Sequence, residues 1–458
     1  MNHYDAIIIG TGQAGPSLAA RFAAAGMAVA ILERHKFGGT CVNTGCIPTK
    51  TLLASAYAAH VARRGAEYGF VVNGDVRLDM KRVKARKDEV SGRSTKGVEE
   101  GLRGLKNCTV IQGHARFQSP RTVVVNDEVL QADKMFINVG GRASVPEMPG
   151  IHDVPFLTNS SMMEIDFLPE HFVIVGGSYV GLEFGQMYRR FGSEVTIVEK
   201  GPRLIGREDE DVSQALREIL ETEGIRIHLN AKCISLAKRD RRIAVGVDCD
   251  EGPPEISGTH LLLAVGRTPN TSDLGLDRAG VATDEHGYIM VDDELHTNVA
   301  GIWALGDCNG RGAFTHTSYN DYEIVAANLL NADHRRVSDR IQAYGLFTDP
   351  PLGRCGMTDA EIRKSGRAAL VAKYPMIRVS RAFEKGETQG FIKICVDAET
   401  KQILGAAVLG TGGDEAVHVL LDVMYAKAPY TVVQRAMHIH PTVAEYLPTV
   451  LSKLEPFA

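Results

Sequence analysis

Residues 5–33 of the chain read DAIIIGTGQAGPSLAARFAAAGMAVAILE. An apolar run ends at Ile9, a glycine-rich turn follows, a helical stretch begins near Pro16, and a second apolar run ends at Glu33. The turn glycines are Gly10, Gly12 and Gly15. Glycines at this spacing let the backbone approach a pyrophosphate, the helix N-terminus adds a positive dipole, and the acid can bind a ribose hydroxyl pair. The stretch therefore predicts a strand, turn, helix and strand that bind a dinucleotide.

A second stretch with the same pattern covers residues 172–199 and reads FVIVGGSYVGLEFGQMYRRFGSEVTIVE. Its helical part is predicted to begin at Leu182. The corresponding turn residues are Gly176, Ser178 and Gly181. Ser178 replaces the second glycine and adds a hydroxymethyl group where the backbone should approach phosphate, which weakens the motif without excluding it. Two dinucleotide sites are therefore predicted.

The acid that ends the second stretch, Glu199, bears on the choice of nucleotide. A carboxylate at this place accepts hydrogen bonds from a free ribose 2'-hydroxyl and repels a 2'-phosphate. Three cations nearby soften that preference; they are Lys200, Arg203 and Arg207. NADH is therefore predicted, with NADPH as the alternative.

The composition is that of an ordinary globular protein with several domains. Of the 458 residues, 44% are hydrophobic and 23% are charged, and at ~100–200 residues per domain this length predicts roughly two to four domains. The 51 Lys and Arg residues face 56 Asp and Glu residues, for a net charge of -5, so a nucleic-acid partner is not expected. No apolar run reaches the ~18 residues of a membrane span. The strand-like start at Asp5 leaves no room for a signal peptide, so a cytoplasmic location is predicted.

The remainder of the chain completes the predicted architecture. Two short apolar runs end near Gly266 and Gly306, as expected at the carboxyl edge of a parallel sheet, where ligands bind. From about Arg340 the pattern changes. Its elements are predicted strands at 390–396 and 403–409 and a predicted helix at 415–426. The predicted fold class is α/β, with two doubly wound dinucleotide-binding domains and a C-terminal α+β domain.

Residues 38–50 read GGTCVNTGCIPTK and contain two neighbouring cysteines, Cys41 and Cys46. Residues five apart on a regular helix are ~7.5 Å apart along the axis, whereas disulfides have Cα atoms ~4.4–6.8 Å apart, so a bridge requires a distorted turn. Gly45 can supply that distortion. A strained disulfide is easily reduced, which favours a redox pair, although two unpaired core thiols or half of a metal site remain alternatives. The other cysteines are interpreted as packing residues; they are Cys108, Cys233, Cys249, Cys308, Cys355 and Cys395.

A second reactive group lies near the C-terminus, where residues 437–445 read MHIHPTVAE. A histidine held by a following carboxylate accepts a proton from a thiol and stabilises the thiolate that disulfide exchange needs. The candidates are His438 and His440, with Glu445 as the carboxylate. By spacing alone, a structural role for the histidine is the commoner alternative.

These motifs resemble those of the FAD-dependent pyridine nucleotide-disulfide oxidoreductases, the family of dihydrolipoamide dehydrogenase, glutathione reductase and mercuric reductase. The likeness covers nearly the whole chain and is most specific in the 41–50 block, the Gly306 and Asp307 pair and the 440–445 block. The FAD-binding residues that it implies are Gly10, Gly12, Gly15, Glu33, Gly39, Thr40, Lys50, Gly140, Gly306 and Asp307. The NAD(P)H-binding residues that it implies are Gly176, Ser178, Tyr179, Gly181, Glu199 and Gly266.

The resemblance also implies a role for each reactive group. Cys46 lies against the flavin, and Cys41 is the exposed interchange thiol. Lys50 pairs with Glu183 near the flavin. Tyr179 covers the nicotinamide pocket until NADH displaces it.

In this family the C-terminal domain pairs two subunits, so the resemblance implies a homodimer whose active site is shared between subunits. His440 and Glu445 then act on the disulfide of the partner chain, and His438 is a packing residue. The implied domain ranges are 1–150 and 266–338 for FAD, 151–265 for NAD(P)H and 339–458 for dimerisation.

The choice of family member depends on smaller features. The C-terminal tail lacks the cysteine pair with which mercuric reductases deliver mercury, so efficient mercury reduction is not expected. Thr44, Ser178 and the 319–322 segment resemble instead the mercuric-reductase-like flavoreductases that include the reactive-chlorine resistance enzymes. The predicted function is transfer of electrons from NADH through FAD and the Cys41–Cys46 disulfide to an external oxidant. That oxidant is a small disulfide, a metal ion or a reactive chlorine species.

Three alternatives remain open at this stage. Dihydrolipoamide dehydrogenase has the same cysteine and His-Glu machinery. A flavin enzyme that bypasses the disulfide, such as an NADH oxidase or transhydrogenase, would survive a double Cys-to-Ser substitution. A redox sensor flavoprotein without turnover is favoured if Ser178 disables the nucleotide site. No resident metal site is predicted.

Overall fold

The computed structural model describes residues 2–231, 234–247 and 255–457 of the chain. The strands, in chain order, are β1 (Asn2–Ile9), β2 (Val29–Glu33), β3 (Cys108–Gln112), β4 (Arg116–Ser119), β5 (Thr122–Val125), β6 (Glu128–Ile137), β7 (Gly141–Ala143), β8 (His171–Val175), β9 (Glu194–Val198), β10 (Arg226–His228), β11 (Ser235–Arg239), β12 (Arg242–Gly246), β13 (Glu255–Gly258), β14 (His260–Leu263), β15 (Arg267–Pro269), β16 (Ile302–Ala304), β17 (Ala343–Leu346), β18 (Leu352–Gly356), β19 (Ala369–Pro375), β20 (Phe391–Asp397), β21 (Ile403–Leu409) and β22 (Glu455–Pro456).

The α-helices connect and cover these strands. In chain order they are α1 (Ala14–Ala24), α2 (Gly39–Asn43), α3 (Cys46–Arg63), α4 (Met80–Arg103), α5 (Tyr179–Phe191), α6 (Glu210–Thr222), α7 (Leu276–Ala279), α8 (Thr315–Asn331), α9 (Asp359–Ser365), α10 (Ser380–Glu384), α11 (Gly413–Tyr425), α12 (Thr431–Arg435) and α13 (Leu447–Leu451). None of the helices in the described residues is long and apolar enough to span a membrane.

The first sheet has the strand order β3-β2-β1-β6-β5-β4, with β16 paired to β6. Its central strands run parallel. The side chains at the end of β1 are apolar on both sides because other elements cover both faces of the sheet. Ile8 packs with α1 and α8, whereas Ile7 packs with β4, β5 and α7. The chain returns to this sheet at β16, after it has built a second sheet.

The second sheet has the order β10-β9-β8-β14, and all its pairs are parallel. Helices α5 and α6 pack on one face. The antiparallel strands β11, β12 and β13 cover the other face. This arrangement repeats the strand-turn-helix-strand unit that the sequence predicts twice.

The third sheet is antiparallel, with the order β17-β18-β21-β20-β19-β22. Its core is completed by α11, α12 and α13. The predicted α/β class with a C-terminal α+β part is confirmed. Two helices begin earlier than predicted, α1 at Ala14 and α5 at Tyr179, because the third glycine of each turn already belongs to the first helical turn.

Candidate functional site

The carboxyl ends of the two parallel sheets open into one cleft of about 2390 Å³. Both glycine turns, the two cysteines Cys41 and Cys46, and segments 314–318 and 340–345 line it. Sheet edges of this kind are the usual place for ligands in doubly wound folds. The turn glycines that pack behind the lining are Gly15, Gly181 and Gly306. The structure therefore brings the predicted nucleotide and thiol residues into one cavity.

The first glycine turn is held by a side chain that sequence reasoning missed. Gly10 has φ +105°, and a Cβ atom there would overlap the carbonyl oxygen of Asn138. The Asn138 amide donates to the carbonyl oxygens of Gly10 at 3.2 Å and Gly12 at 3.1 Å. Asn138 directly follows β6, which pairs with β1. Only this sheet pairing brings it to the turn, so no local pattern could have identified it.

The predicted ribose ligand Glu33 is buried and fixed. Its Oε2 accepts from the backbone N–H of Thr11 at 3.0 Å, and its Oε1 accepts from the N–H of His35 at 2.8 Å. Oε2 also accepts from the Thr11 hydroxyl at 2.5 Å, so Oε1 is the oxygen that keeps a lone pair for a ligand hydroxyl. The Glu33 carboxylate is therefore fixed at the end of β2, beside the glycine turn.

Asp307 lies at another part of the cleft, just after β16. Its Oδ2 accepts from Nε of Arg267 at 3.2 Å, and the same guanidinium donates to the carbonyl oxygen of Gly141 at 2.6 Å. Burial raises the pKa of Asp307, although the Arg267 charge acts in the opposite direction. A carboxylate that is short of solvent and lines a cleft is suited to accept hydroxyl groups of a bound ligand.

The residues present fit FAD, the cofactor that the resemblance implies. A Cβ atom at Gly140 would meet no atom within 4 Å, and at Gly12 the nearest would be 3.5 Å away, so both backbones are open to the cleft. The N-terminus of α1 adjoins the same turn, where its positive dipole end would favour a pyrophosphate. Glu33 and Asp307 place carboxylates in the cleft that would suit ribose and ribityl hydroxyls.

The second glycine turn repeats the first. Gly176 has φ +117°, and a Cβ atom there would overlap the carbonyl oxygen of Ala264. Ser178 is the N-cap residue of α5, with extended backbone angles. Its side chain makes no capping hydrogen bond, but extended backbone angles suit any residue, so the serine is accommodated without changing the turn.

Glu199 directly follows β9 and is bound by the turn that it faces. Its Oε2 accepts from the N–H of Gly177 at 2.6 Å, and its Oε1 accepts from the N–H of Gly201 at 2.7 Å. Arg203 and Arg207 line the same region of the cleft. Arg203 donates to the carbonyl oxygen of Gly206 at 3.1 Å, which engages part of its guanidinium in the loop itself.

Tyr179 is the first residue of α5, and its half-buried ring lines the cleft next to Phe314 and Tyr344. Burial raises the pKa of Tyr179 to about 12, with a smaller contribution from the Glu208 charge. The phenol of Tyr179 is therefore neutral over the physiological pH range, which is compatible with the predicted role of its ring as a cover of the nicotinamide pocket.

The two cysteines lie on either side of a break between helices. Cys41 belongs to α2, which ends at Asn43, and Cys46 begins α3. Thr44 and Gly45 leave the helical conformation, so the distorted turn predicted from the spacing is present. Both thiols are free in this structure.

The environment of the two thiols is asymmetric. The pKa of Cys46 is lowered to about 6, chiefly by a hydrogen bond from Cys41, with further help from Thr315 and the Lys50 charge. The pKa of Cys41 is raised by the same hydrogen bond and by burial. The Sγ atom of Cys46 lies 3.0 Å from Oγ1 of Thr315, a contact that no sequence pattern signalled. A single negative charge on the pair therefore resides on Cys46.

Lys50 and Glu183 form the ion pair that the resemblance implied, with Nζ 2.7 Å from Oε2. The Glu183 side chain is 9% exposed, and its Oε1 also accepts from the N–H of Phe347 at 3.1 Å. The Lys50 ammonium lies 4.4 Å from the centre of the Phe347 ring. Lys50 lies one turn of α3 after Cys46, and these contacts hold its charge inside the cleft.

The C-terminal histidine lies elsewhere. Nδ1 of His440 is 2.9 Å from Oε2 of Glu445, and the His440 side chain is 72% exposed. Neither residue lines the cleft that contains Cys41 within the described part of one chain. The neighbouring Met437 and Ile439 are 99% and 80% exposed. One subunit alone therefore does not bring the histidine to the thiols.

Among the described residues, one carboxylate cluster has spacing suited to a metal ion, namely Asp209, Asp211 and Asp359. The ammonium of Lys393 binds all three acids, at 2.8, 2.8 and 2.9 Å. A protein cation thus fills the centre of this cluster. The cysteines interpreted as packing residues are buried or half-buried at 108, 308, 355 and 395, whereas Cys233 and Cys249 lie outside the described residues.

Two family models match the chain. "Pyridine nucleotide-disulphide oxidoreductase" covers residues 4–321, and the dimerisation domain of the same family covers residues 343–451. The probable pyridine nucleotide-disulfide oxidoreductase RclA of Escherichia coli (strain K12) is 35% identical, over 99% of both chains. The dihydrolipoyl dehydrogenase of Thermus scotoductus is 34% identical, over 98% of this chain and 96% of its own length.

A solved structure is similarly close. It is the Cu(II) complex of the HOCl-induced flavoprotein disulfide reductase RclA from Escherichia coli, with a TM-score of 0.90 and 35% identity over 99% of both chains. These likenesses show a flavin-dependent disulfide oxidoreductase that uses FAD and NAD(P)H, and the dimerisation domain indicates a homodimer. The chain therefore belongs to the pyridine nucleotide-disulphide oxidoreductase family.

Proposed function

We propose that this enzyme uses NADH to reduce a thiophilic metal ion, Cu(II), through the Cys41 and Cys46 pair. The asymmetric dithiol in the cleft carries the proposal, because it combines a favoured thiolate at Cys46 with a neighbouring thiol. Thiolates are the ligands that Cu(I) prefers. The similar RclA of Escherichia coli has been solved as a Cu(II) complex, which supports copper as the acceptor.

The proposal assigns FAD to the first glycine turn and NADH to the second. Gly10, Glu33 and Asp307 are proposed to hold FAD, which when bound carries electrons from NADH to the disulfide. Glu199 is proposed to select NADH, since its carboxylate would repel a 2'-phosphate. NADH is a cytoplasmic reductant, so the proposed location is the cytoplasm.

The chain's own residues are proposed to manage the protons. Reduction of the disulfide by one NADH consumes no further proton and yields the Cys46 thiolate and the Cys41 thiol. Two Cu(II) ions then each take one electron, the disulfide forms again, and one proton and two Cu(I) ions leave. The ion pair of Lys50 with Glu183 keeps a positive charge beside the Cys46 thiolate. His440 of the partner subunit is proposed to accept the proton of Cys41.

The proposed assembly places each C-terminal block against the cleft of the other subunit. The exposed His440, paired with the half-buried Glu445, supports this, since neither residue lines the cleft of its own chain among the described residues. We also infer the domain ranges: 1–150 and 266–338 form the FAD domain, 151–265 the NAD(P)H domain and 339–458 the dimerisation domain. The pairing of β16 with β6 supports the return of residues 266–338 to the first domain.

Anaerobic turnover with a panel of acceptors tests the function. The purified flavoprotein is given NADH with Cu(II), Hg(II), lipoamide or oxidised glutathione, and NADH consumption is measured. We expect Cu(II) to be reduced fastest, at two ions per NADH, and a Cys41→Ser, Cys46→Ser double variant to lose this activity. Copper reduction by the double variant at the wild-type rate would refute the dithiol route.

Dihydrolipoyl dehydrogenase is the second candidate, because the Thermus scotoductus enzyme is 34% identical over nearly the full length. The lipoamide arm of the same experiment decides between the two. A lipoamide rate far above the copper rate would assign the chain to that activity. Absence of NADH-driven flavin reduction would instead favour a redox sensor without turnover.

A further inference from the structure

The ring of Tyr179 contacts two aromatic rings that come from distant parts of the chain. It meets Phe314 at a centroid distance of 5.7 Å and an angle of 83°, and Tyr344 at 5.7 Å and 90°. Phe314 and Tyr344 stack on each other at 5.5 Å and 11°. Edge contacts of this kind are favourable and directional. The position of the Tyr179 ring therefore depends on where Tyr344 is held.

Tyr344 is itself fixed by a buried acid. Its hydroxyl donates to Oε1 of Glu208 at 2.5 Å, and the Glu208 side chain is 0% exposed. Burial and the Glu208 charge raise the pKa of Tyr344, so the tyrosine remains the donor. A hydrogen bond from a neutral donor to a buried carboxylate is among the stronger ones in proteins. The Tyr344 ring is thus anchored at its far end.

Glu208 belongs to a buried network that joins two domains. Arg354 on β18 donates to Asp209 at 2.5 Å and lies 3.4 Å from Glu208. Lys393 on β20 binds Asp209 at 2.8 Å. Both acids directly precede α6 in the second nucleotide unit, whereas Tyr344 and the two cations belong to the third sheet. The network therefore ties the segment after Glu199 to the sheet that carries Tyr344.

We propose that Tyr344 and Glu208 form a latch that holds Tyr179 over the nicotinamide pocket and thereby sets the affinity for NADH. The proposal rests on the proposed use of NADH and on the role that the family resemblance implies for Tyr179. NADH must displace the Tyr179 ring, and any free energy that favours the covered state is lost from the observed affinity. Tyr344 and Glu208 are thus positioning residues, and weakening the latch makes NADH bind more tightly.

The binding of two ligands distinguishes the latch from a general structural role of Tyr344. One is a tetrahydro analogue of NADH, which cannot transfer a hydride, and the other is ADP-ribose, which lacks the nicotinamide ring. Both are titrated into the FAD-loaded enzyme. For Tyr344→Leu we expect the Kd of the analogue to fall roughly twofold to tenfold, the worth of one aromatic pair. The Kd of ADP-ribose stays unchanged, because that ligand does not move Tyr179.

Two further variants control for loss of fold and for removal of any tyrosine. Tyr344→Phe keeps the ring and removes only the hydrogen bond to Glu208, so the Kd of the analogue falls by a smaller factor. Tyr319→Leu removes a ring that pairs with Tyr322 and does not line the cleft. Neither Kd changes in that control. Weaker binding of the analogue, or equal shifts for both ligands, in the Tyr344 variants would overturn the latch.

A double-mutant cycle shows whether Tyr344 acts through Tyr179. Tyr179→Ala should itself tighten binding of the analogue, and Tyr344→Leu should then add nothing, since the ring that the latch holds is gone. A full effect of Tyr344→Leu in the Tyr179→Ala background would overturn the latch and leave the proposed function intact. No effect of Tyr179→Ala on the analogue would contradict the proposed role of Tyr179, and the latch with it.

Discussion

The two glycine turns share a backbone and differ in what surrounds them. The first is held by Asn138 and Glu33, which both belong to strands of the first sheet or directly follow them. The second leads straight into Tyr179, whose ring rests on the third sheet through Tyr344. The first turn is thus held by residues of its own sheet, whereas the residue that follows the second turn is held by a neighbouring domain. This difference suits one site that retains its cofactor and one that exchanges its nucleotide.

The largest effect is expected from alanine at the first glycine of each turn. Both substitutions place a Cβ atom against a carbonyl oxygen and at a positive φ. Gly10→Ala should yield protein without bound FAD, and Gly176→Ala should retain FAD but show no reduction by NADH. Flavin absorbance after purification and anaerobic addition of NADH measure the two outcomes.

Gly92→Ala is the matched control for these substitutions, because Gly92 lies in α4 with open space around its Cβ position. It should bind FAD normally and be more stable by about 0.5–1 kcal/mol, the difference between alanine and glycine inside a helix. Equal loss of FAD in Gly10→Ala and Gly176→Ala would remove the distinction between the turns.

The next effect concerns His440. General acid-base help is typically worth ~10²- to 10⁴-fold, so His440→Ala should slow oxidation of the reduced enzyme by a factor in that range. Transfer from NADH to the flavin, and turnover with a dye reduced directly by the flavin, should remain nearly normal. Stopped-flow measurement of each half-reaction distinguishes these steps, and an equal loss with the dye would mean that His440 only supports structure.

Mixed dimers show whether the histidine acts across the interface. A dimer of one His440→Ala subunit and one Cys41→Ser subunit should keep about one working site of two, because one shared site carries both lesions and the other carries neither. Inactivity of such heterodimers, once their composition is verified, would place His440 and Cys41 in the site of the same subunit.

The smallest effect is expected from Glu199→Gln. Removing one negative charge beside the predicted 2' position should raise the NADPH to NADH ratio of kcat/KM roughly tenfold, since a charge pair near a surface is worth about 1–4 kcal/mol at 4 Å. Glu285→Gln, at an acid that is 87% exposed, should leave the ratio unchanged. A wild-type preference for NADPH would show that Lys200, Arg203 or Arg207 dominates the pocket.

Local patterns in the sequence were enough to predict the turns and the thiols. Glycine spacing, an acid after the second strand and two cysteines around Gly45 each depend on residues close together in the chain. The structure places them in one cleft. The sequence predicts the start of α5 one turn too late, because the apolar pattern begins only at Leu182, whereas the helical backbone begins at Tyr179, directly after the extended cap residue Ser178.

The supporting residues could not be predicted, since they come from remote segments. Asn138 reaches the first turn through strand pairing, and Thr315 reaches Cys46 from the start of α8. Arg354 and Lys393 lie on strands of the third sheet, among residues that give no local sign of a buried charge. A buried charge is stable only beside its partner, and a sequence alone does not show which segments meet.

The central claim is that electrons pass through the dithiol of Cys41 and Cys46, with the negative charge on Cys46. Anaerobic titration of the enzyme with NADH tests this most directly, because a thiolate beside the flavin gives a long-wavelength charge-transfer band. The pKa of Cys46 is lowered to about 6, so the thiolate persists at neutral pH and the band should fade only as the pH falls through about 6. Cys46→Ser should lack the band at every pH. A reduced wild-type flavoprotein without the band at pH 7.5, or one whose band persists in Cys46→Ser, would contradict the account.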